Sequence, residues 1–470
     1  MPARFRALLA ALVVAVVALA GALYLGYRSG LDAAAGRIDP SNQFASVDLR
    51  NFLTPQMMDD HLVTLAYRQL ERVYYKPVNS ADLVRGERSG ILTLLKAKRV
   101  NDASLPSVQG GTDQTQDLQK LGTVLAYAQG QYAKHLGKDG GTEITQAAMR
   151  GMLSSLNDPY TVYLSPKEIQ SLNESLDGGN FGGIGVYIYQ LRDGQIVLQP
   201  IEGLPAAHAG MKPGEVIDAV DATPVKGLSL DKVERLIRGP QGSPVTLKTH
   251  AYRKKQPHSF TITREIIRVP TVHAKMESGY DYIRLSDFGE TSAAEVRKAL
   301  LDGKAHHAKG YILDLRDNGG GLLDAAVKIS SLFIPKGTIV STINRAGDKD
   351  DSAALGTSIS GLRPLVVLVN KYTASASEIT SGAIQDYKVG TLLGTKTFGK
   401  GVVQSIYPMP DNGALKITTA RYVTPLGRDI QHKGIVPDVV VAQDLDPMLI
   451  DTPRDKQLAA AKARLAQAAR

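Results

Sequence analysis

The chain has 470 residues, 55 Lys and Arg against 46 Asp and Glu for a formal charge of +9, 43% hydrophobic residues, and neither cysteine nor tryptophan. This composition excludes a mainly disordered chain, a collagen-like repeat and a multi-span membrane protein, and the length suggests about three domains. Without cysteine there are no disulfides, thiolate metal sites or cysteine nucleophiles, which suits an oxidising compartment.

At the N-terminus, Arg4 and Arg6 precede an uncharged run from Ala7 to Tyr27. Two readings fit it. A signal peptide would be cut after Ala20 in Ala18-Leu19-Ala20, and a membrane anchor needs about 20 apolar residues with the basic side left in the cytoplasm. Both readings place the remainder outside the cytoplasmic membrane. Residues 28–55 are small and polar and read as a tether.

From Gln56 to about Leu95 the pattern is helical: Leu62, Leu65, Ala66 and Leu70 share one face, and Asp82 to Leu95 reads as a second helix. Residues 97–116 read as a loop, with helices again over Leu118–Leu136 and Thr142–Leu156. Leu65-Ala66-Tyr67 recurs as Leu125-Ala126-Tyr127, and Arg88-Ser89-Gly90-Ile91-Leu92 resembles Arg150-Gly151-Met152-Leu153, which raises an internal duplication.

Beyond Gly178, short alternating runs broken by Gly and Pro predict strands at Gly185–Gln190, Gln195–Pro200, Val216–Val220, Val245–Ala251 and Ser259–Arg264, with helices at Pro205–Gly210 and Leu230–Leu236. Arg253-Lys254-Lys255 is the nearest approach to a basic cluster; it lacks the interleaved aromatics that nucleic-acid binding needs and reads as a hairpin tip. After Val269, apolar strands (Tyr282–Leu285, Gly310–Leu315, Pro364–Val369) alternate with helices (Thr291–Leu301, Leu322–Leu332, Ser377–Tyr387), implying a buried, partly parallel sheet covered by helices. Strands return after Thr391, and Thr452-Pro453 predicts the start of a terminal helix.

Two glycine-rich or small-residue turns follow apolar strands. Asp314-Leu315-Arg316-Asp317-Asn318-Gly319-Gly320-Gly321 frees backbone N–H groups ahead of a helix, without the ending of a phosphate loop or a dinucleotide fingerprint. Asn370 to Ile379 places Thr373, Ser375 and Ser377 at a helix start, where a serine is either a cap or a nucleophile favoured by the helix N-terminus. None of the nine histidines lies in a glycine-flanked turn, and no His-Glu-x-x-His or other metal spacing occurs. Lys400, between Gly399 and Gly401 and near Phe398, Val402 and Val403, is either an exposed turn residue or a desolvated general base.

Together, Thr373-Ala374-Ser375-Ala376-Ser377-Glu378-Ile379, Gly399-Lys400-Gly401 with Gln404, and Asp314-Leu315-Arg316 with Asn318-Gly319-Gly320-Gly321 resemble the carboxyl-terminal processing (tail-specific) peptidases, Ser–Lys serine peptidases with a PDZ domain. Met149-Arg150-Gly151-Met152-Leu153, Leu156-Asn157-Asp158-Pro159-Tyr160 and Gly434-Ile435-Val436-Pro437-Asp438 add to the resemblance, which runs from about residue 56 to the end. It departs in Gly319, where many relatives carry Pro, and in residues 97–140, which look longer than usual.

The resemblance implies a multidomain α+β protein: a signal peptide or anchor (1–27), a linker (28–55), a helical N-terminal region (56–170), a PDZ domain (171–268), an α/β, crotonase-like ββα peptidase core (269–446) and a C-terminal helix (447–470). It makes Ser375 the nucleophile, with Ser377 its competitor, Lys400 the base 400 − 375 = 25 residues on, and Gln404 the residue that orients it. The N–H groups of Ala376 and of one glycine among Gly319, Gly320 and Gly321 would form the oxyanion hole, with no metal or cofactor. Phe181, Gly182, Gly183, Ile184, Gly185 and Val186 match a carboxylate-binding loop and the strand that pairs with a peptide, Ile184 and Val186 lining the slot. The expected partners are envelope proteins with free apolar C-termini, met on the periplasmic side of a bacterial inner membrane. An adaptor or docking protein and membrane attachment through the N-terminus fit the same picture; nucleic acid does not. The competing class is a non-catalytic PDZ scaffold, which need not keep Ser375, Lys400 and Gln404 together. A crotonase-type acyl-CoA enzyme explains neither the leader nor the Ser–Lys pair.

Overall fold

Four helices built on single apolar faces begin the described chain: α1 (Pro55–Val73), α2 (Ser80–Ala97), α3 (Gln114–Leu136) and α4 (Gly140–Ser154). The computed structural model describes residues 55–468 except 112, 177–180, 192, 253, 255, 268–269, 360–363 and 443–449. The predicted leader and tether over residues 1–54 lie outside the described residues. Leu62, Ala66 and Leu70 are buried on the expected face of α1. Helices α2 and α3 start two and four residues before the apolar pattern does, because Asn79 and Asp113 accept the amides of Ala81 and Thr115 as N-caps. The apparent repeat has a packing explanation. Gly90 and Gly151 lie where α2 and α4 cross: a Cβ on Gly90 would stand 2.2 Å from the Ala147 carbonyl oxygen, and one on Gly151 2.3 Å from that of Gly86. The similar Arg-Gly segments are thus the two sides of one close helix contact.

A second region follows the short strand β1 (Val162–Leu164) and helix α5 (Pro166–Leu176). It comprises β2 (Phe181–Gly183), β3 (Val186–Gln190), β4 (Ile196–Pro200), α6 (Pro205–His208), β5 (Glu215–Val220), β6 (Thr223–Pro224), α7 (Leu230–Ile237), β7 (Pro244–Ala251), β8 (Pro257–Thr263) and β9 (Glu265–Ile267). The antiparallel order is β3-β4-β5-β7-β8, with β6 on β5 and β2 paired to β9. Lys254 of the basic triplet lies in the β7–β8 connection, where a hairpin tip was expected; Arg253 and Lys255 lie outside the described residues. Alternate residues such as Leu198, Val245, Leu247 and Ile262 pack with Val233 and Ile237 of α7 into a separate core.

The third region contains β10 (Val272–Glu277), β11 (Tyr280–Leu285), α8 (Ser292–Ala305), β12 (Tyr311–Asp314), α9 (Leu323–Ser330), β13 (Thr338–Ile343), β14 (Lys349–Ala353), β15 (Leu365–Val369), α10 (Ala376–Asp386), β16 (Thr391–Gly394), β17 (Val402–Pro408), β18 (Ala414–Val423), β19 (Val439–Val440) and α11 (Lys456–Ala468). One sheet runs β10-β11-β12-β15-β16-β19, parallel from β11 onward. Every residue of β12 and β15 is buried, as befits a sheet covered on both faces. Helices α8, α9 and α10 pack on one face and α11 on the other. A second sheet, β1-β18-β13-β14 with β17 on β18, carries the helical region: Leu415 and Ile417 of β18 enter the core of α1–α4, and the Tyr75 amide donates to the Thr418 carbonyl.

The terminal helix starts at Lys456 rather than at Thr452-Pro453. Asp455 sets the start: one carboxylate oxygen accepts the Leu458 amide while both accept from the Arg316 guanidinium, which also grips Asp314. This buried ion cluster fixes α11 against the strand end that leads into the glycine turn.

Candidate active site

Two turns at the ends of neighbouring parallel strands, β12 and β15, are stitched together by Asn318. Its carbonyl accepts the Ala374 amide and the Ser377 hydroxyl, each at 3.0 Å, and its side chain donates to the Leu285 carbonyl at 2.8 Å. Thr373 adds a hydroxyl donated to the Leu315 carbonyl at 2.8 Å. Gly320 lets the turns meet, since a Cβ there would lie 2.7 Å from the Ser375 Cβ. Thr373 and Ser377 are therefore occupied in structural hydrogen bonds. Ser375 instead takes φ +56°, ψ −118° ahead of α10, a conformation costly for a residue with a side chain.

Glu378 holds this conformation. It is fully buried, and its carboxylate accepts four donors: the Ser375 amide (3.0 Å), the Thr397 hydroxyl (2.5 Å), and the Gly399 (2.8 Å) and Lys400 (2.9 Å) amides. Burial pushes its carboxyl above the ordinary range, and these hydrogen bonds pull it back. One side chain thus links the serine turn to the lysine turn, whose backbones are also bridged by Tyr422: its hydroxyl lies 2.7 Å from the Lys400 carbonyl oxygen and 3.1 Å from that of Ser375.

Ser375 and Lys400 line one cavity of about 300 Å³, with Ala376, Gly319, Gly321, Gln404, Lys416 and Tyr422 among its other walls. The Lys400 amine is lowered to about 8, first by burial and then by the charge of Lys416; Asp158 and Glu378 oppose the shift. Its Nζ stands 4.7 Å from the centre of the Tyr160 ring, which arrives from the segment between α4 and β1.

Two expectations meet a different geometry. Gln404 lines the cavity, but its amide donates to Thr418 across the strand pair at 3.4 Å, and among the described residues no hydrogen bond joins it to Lys400. The register of β17 on β18 shifts between Val403 and Gln404, which sets that side chain against Thr418. Among the oxyanion candidates, the Gly320 amide donates to Asn318 Oδ1 at 2.9 Å, an Asx turn that occupies it, whereas Gly319, Gly321 and Ala376 border the cavity.

A second cleft, about 420 Å³, lies between β3 and α7, lined by Gly183, Ile184, Gly185, Val186 and Ile188 opposite Leu230, Ile237 and Arg238. Gly182 sits behind it, its carbonyl accepting the Gly239 amide at 2.9 Å. Phe181 forms part of β2; its side chain lies outside the described residues.

Sequence reasoning assigned no role to Glu378, Tyr160, Lys416 or Tyr422. The Ser-x-x-Glu spacing of Ser375 and Glu378, the signature of a capping box, was the available signal for the first.

The likeness to known proteins covers the same three regions. Residues 279–441 match peptidase family S41, 196–249 a PDZ domain, and 96–168 the N-terminal domain of the activating protease CtpB. The chain is 40% identical over 327 residues to the carboxyl-terminal-processing protease of Synechocystis sp., covering 68% of this chain and 76% of the relative. It is 39% identical over 310 residues to the carboxy-terminal-processing protease of Bartonella bacilliformis, covering 64% and 70%. A solved S41 protease structure from Bacteroides fragilis NCTC 9343 shares the fold at 16% identity and a TM-score of 0.50, over 86% of this chain and 97% of that one. With relatives of this identity aligned over more than two thirds of their own length, the chain belongs to the carboxyl-terminal-processing proteases of peptidase family S41.

Proposed function

We infer that this peptidase cuts with a Ser375–Lys400 dyad and selects its substrates by their C-terminal tails. The observation that carries the reading is the cavity that a strained Ser375 and a desolvated Lys400 both line, their backbones bound to Glu378. Neutral Lys400 Nζ takes the proton of the Ser375 hydroxyl, and Oγ attacks the scissile carbonyl carbon. The carbonyl π pair moves to oxygen, where the Ala376 N–H and that of Gly319 or Gly321 receive it. Collapse breaks the C–N bond, Lys400 returns its proton to the leaving amine, and water then opens the acyl-enzyme by the same route.

The edge strand β3 and the loop Gly183–Val186 supply recognition. A tail adds antiparallel to β3, its carboxylate meets the loop amides, and its last apolar side chain enters the groove beside Ile188 and Ile237. The basic start and apolar run of residues 1–27 support export, with the enzyme on the periplasmic side of a bacterial inner membrane, free or tethered, acting on envelope proteins with or without an adaptor. The regions 56–170, 171–268 and 269–446 act as support, tail reader and peptidase.

Kinetics of Ser375→Ala, Lys400→Ala and the double variant on one peptide test the dyad. Each single change should lower kcat by at least about 10⁴-fold, and the double variant should fall no further, because the two groups act as a unit. Additive losses would contradict it.

A further inference from the structure

Lys416 is a second lysine in the wall of the catalytic cleft. It stands on β18 opposite Ile406 of β17 and Val162 of β1, two residues from Thr418, which faces Gln404, so the strand pleat turns Lys416 and Gln404 to the same side. Both border the cavity shared by Ser375 and Lys400. Partly buried lysines elsewhere have acidic partners: Lys275 pairs with Asp451 and Glu277, Lys462 with Glu277, and Lys120 with Asp117. Among the described residues Lys416 has no ion pair and no hydrogen bond.

The groups around Lys400 make that lack of a counter-ion informative. Glu378 from α10 and Asp158 from the segment before β1 both favour a charged Lys400. So does the Tyr160 ring, whose face attracts a cation. Tyr422 of β18, fully buried, stays neutral. Lys416, whose own amine burial lowers from its ordinary value, is the like charge set against these groups while it keeps its proton. We propose that Lys416 is a positioning residue for proton transfer: its ammonium, set in the cleft wall without a counter-ion, adds to burial in favouring the neutral Lys400 amine. The proposal rests on the reading of Lys400 as the base. A carboxylate at residue 416 would invert the effect, and any acidic partner would cancel it.

The pH dependence of kcat/KM tests it on the full chain, with a peptide lacking ionisable side chains, for the wild type and for Lys416→Met, Lys416→Gln and Lys416→Arg. In Met and Gln variants the acidic limb should move up by about one pH unit, a roughly tenfold loss near pH 7, while the alkaline plateau is kept. Lys416→Arg, whose charge does not titrate, should keep its limb at or below the wild-type position. A limb that stays in place while KM rises at every pH would make Lys416 a contact for the substrate and overturn the proposal. Loss of the plateau in both Met and Gln variants would overturn it as well. Lys400→Ala, run in parallel, separates the two ideas: a wild-type profile there would refute the dyad itself.

Discussion

The cleft at Ser375 and the groove between β3 and α7 are of similar size, about 300 and about 420 Å³, but are built differently. In the first, polar groups are buried and committed: Glu378 carries four hydrogen bonds, Asn318 ties two turns together, and Lys400 is held against its preference for water. In the second, Val186 and Ile188 of β3 are half-buried in a largely apolar groove, Tyr187 lines it from an exposed position, and the strand edge is left open. Chemistry at a peptide bond needs a base with weakened proton affinity, which burial and a neighbouring like charge supply here; tail binding needs a free backbone edge and apolar contact. Changes in the cleft should therefore be large and shared among residues, and changes in the groove small and confined to binding.

Removing the shared carboxylate should have the largest effect on stability. Glu378→Ala leaves the Ser375, Gly399 and Lys400 amides and the Thr397 hydroxyl without their acceptor, at about 1–3 kcal/mol for each that stays dry. Urea unfolding should show a loss of about 3–5 kcal/mol, and turnover should fall at least about 100-fold at temperatures where the variant is folded. A variant of wild-type stability would show that the two turns are held by other means. Ile188→Asp, at the groove wall, should raise KM about tenfold with kcat within about twofold, the pattern of lost ground-state binding. Substrate carrying a C-terminal amide should show a loss of the same order; equal kcat/KM for acid and amide would remove tail recognition while leaving the dyad in place. The smallest effect belongs to Ser377→Ala, which deletes one hydrogen bond to Asn318: about 1 kcal/mol of stability and less than about threefold in kcat. Loss of turnover in that variant alone would return Ser377 as the nucleophile.

Much of this architecture was legible in the residues. Strong periodicity located α1, and the uninterrupted apolar run before Asn370 located the buried strand β15, because such patterns follow from burial alone. The order of their motifs singled out Ser375 and Lys400, which line one cavity. Less visible were groups whose meaning depends on distant chain. Glu378 looks like a first-turn helix acid, yet two of its donors, Gly399 and Lys400, lie more than twenty residues away. Lys416, between buried Leu415 and Ile417, reads as the solvent face of a strand until β17 and β1 close around it. Tyr160 reaches Lys400 from the segment between α4 and β1. At the C-terminus, Thr452-Pro453 carried the local start signal, but tertiary contact with Arg316 gave the helix start to Asp455. In each case a long-range contact overrode or completed a local pattern.

The proposed dyad stands or falls with a neutral lysine as the base. Its pH profile follows from the sign of the shift: burial lowers the Lys400 amine to about 8, so the reactive neutral form is lost as pH falls below that value. The direct measurement is kcat/KM from pH 6 to 10 for the wild type and Lys400→Arg on one uncharged-side-chain peptide. The wild-type rate should rise about tenfold per pH unit below about pH 8 and level off above it, and the Lys400→Arg enzyme should be inactive throughout, because a guanidinium keeps its proton. Near-normal turnover in Lys400→Arg, or a wild-type rate independent of pH across this range, would contradict it.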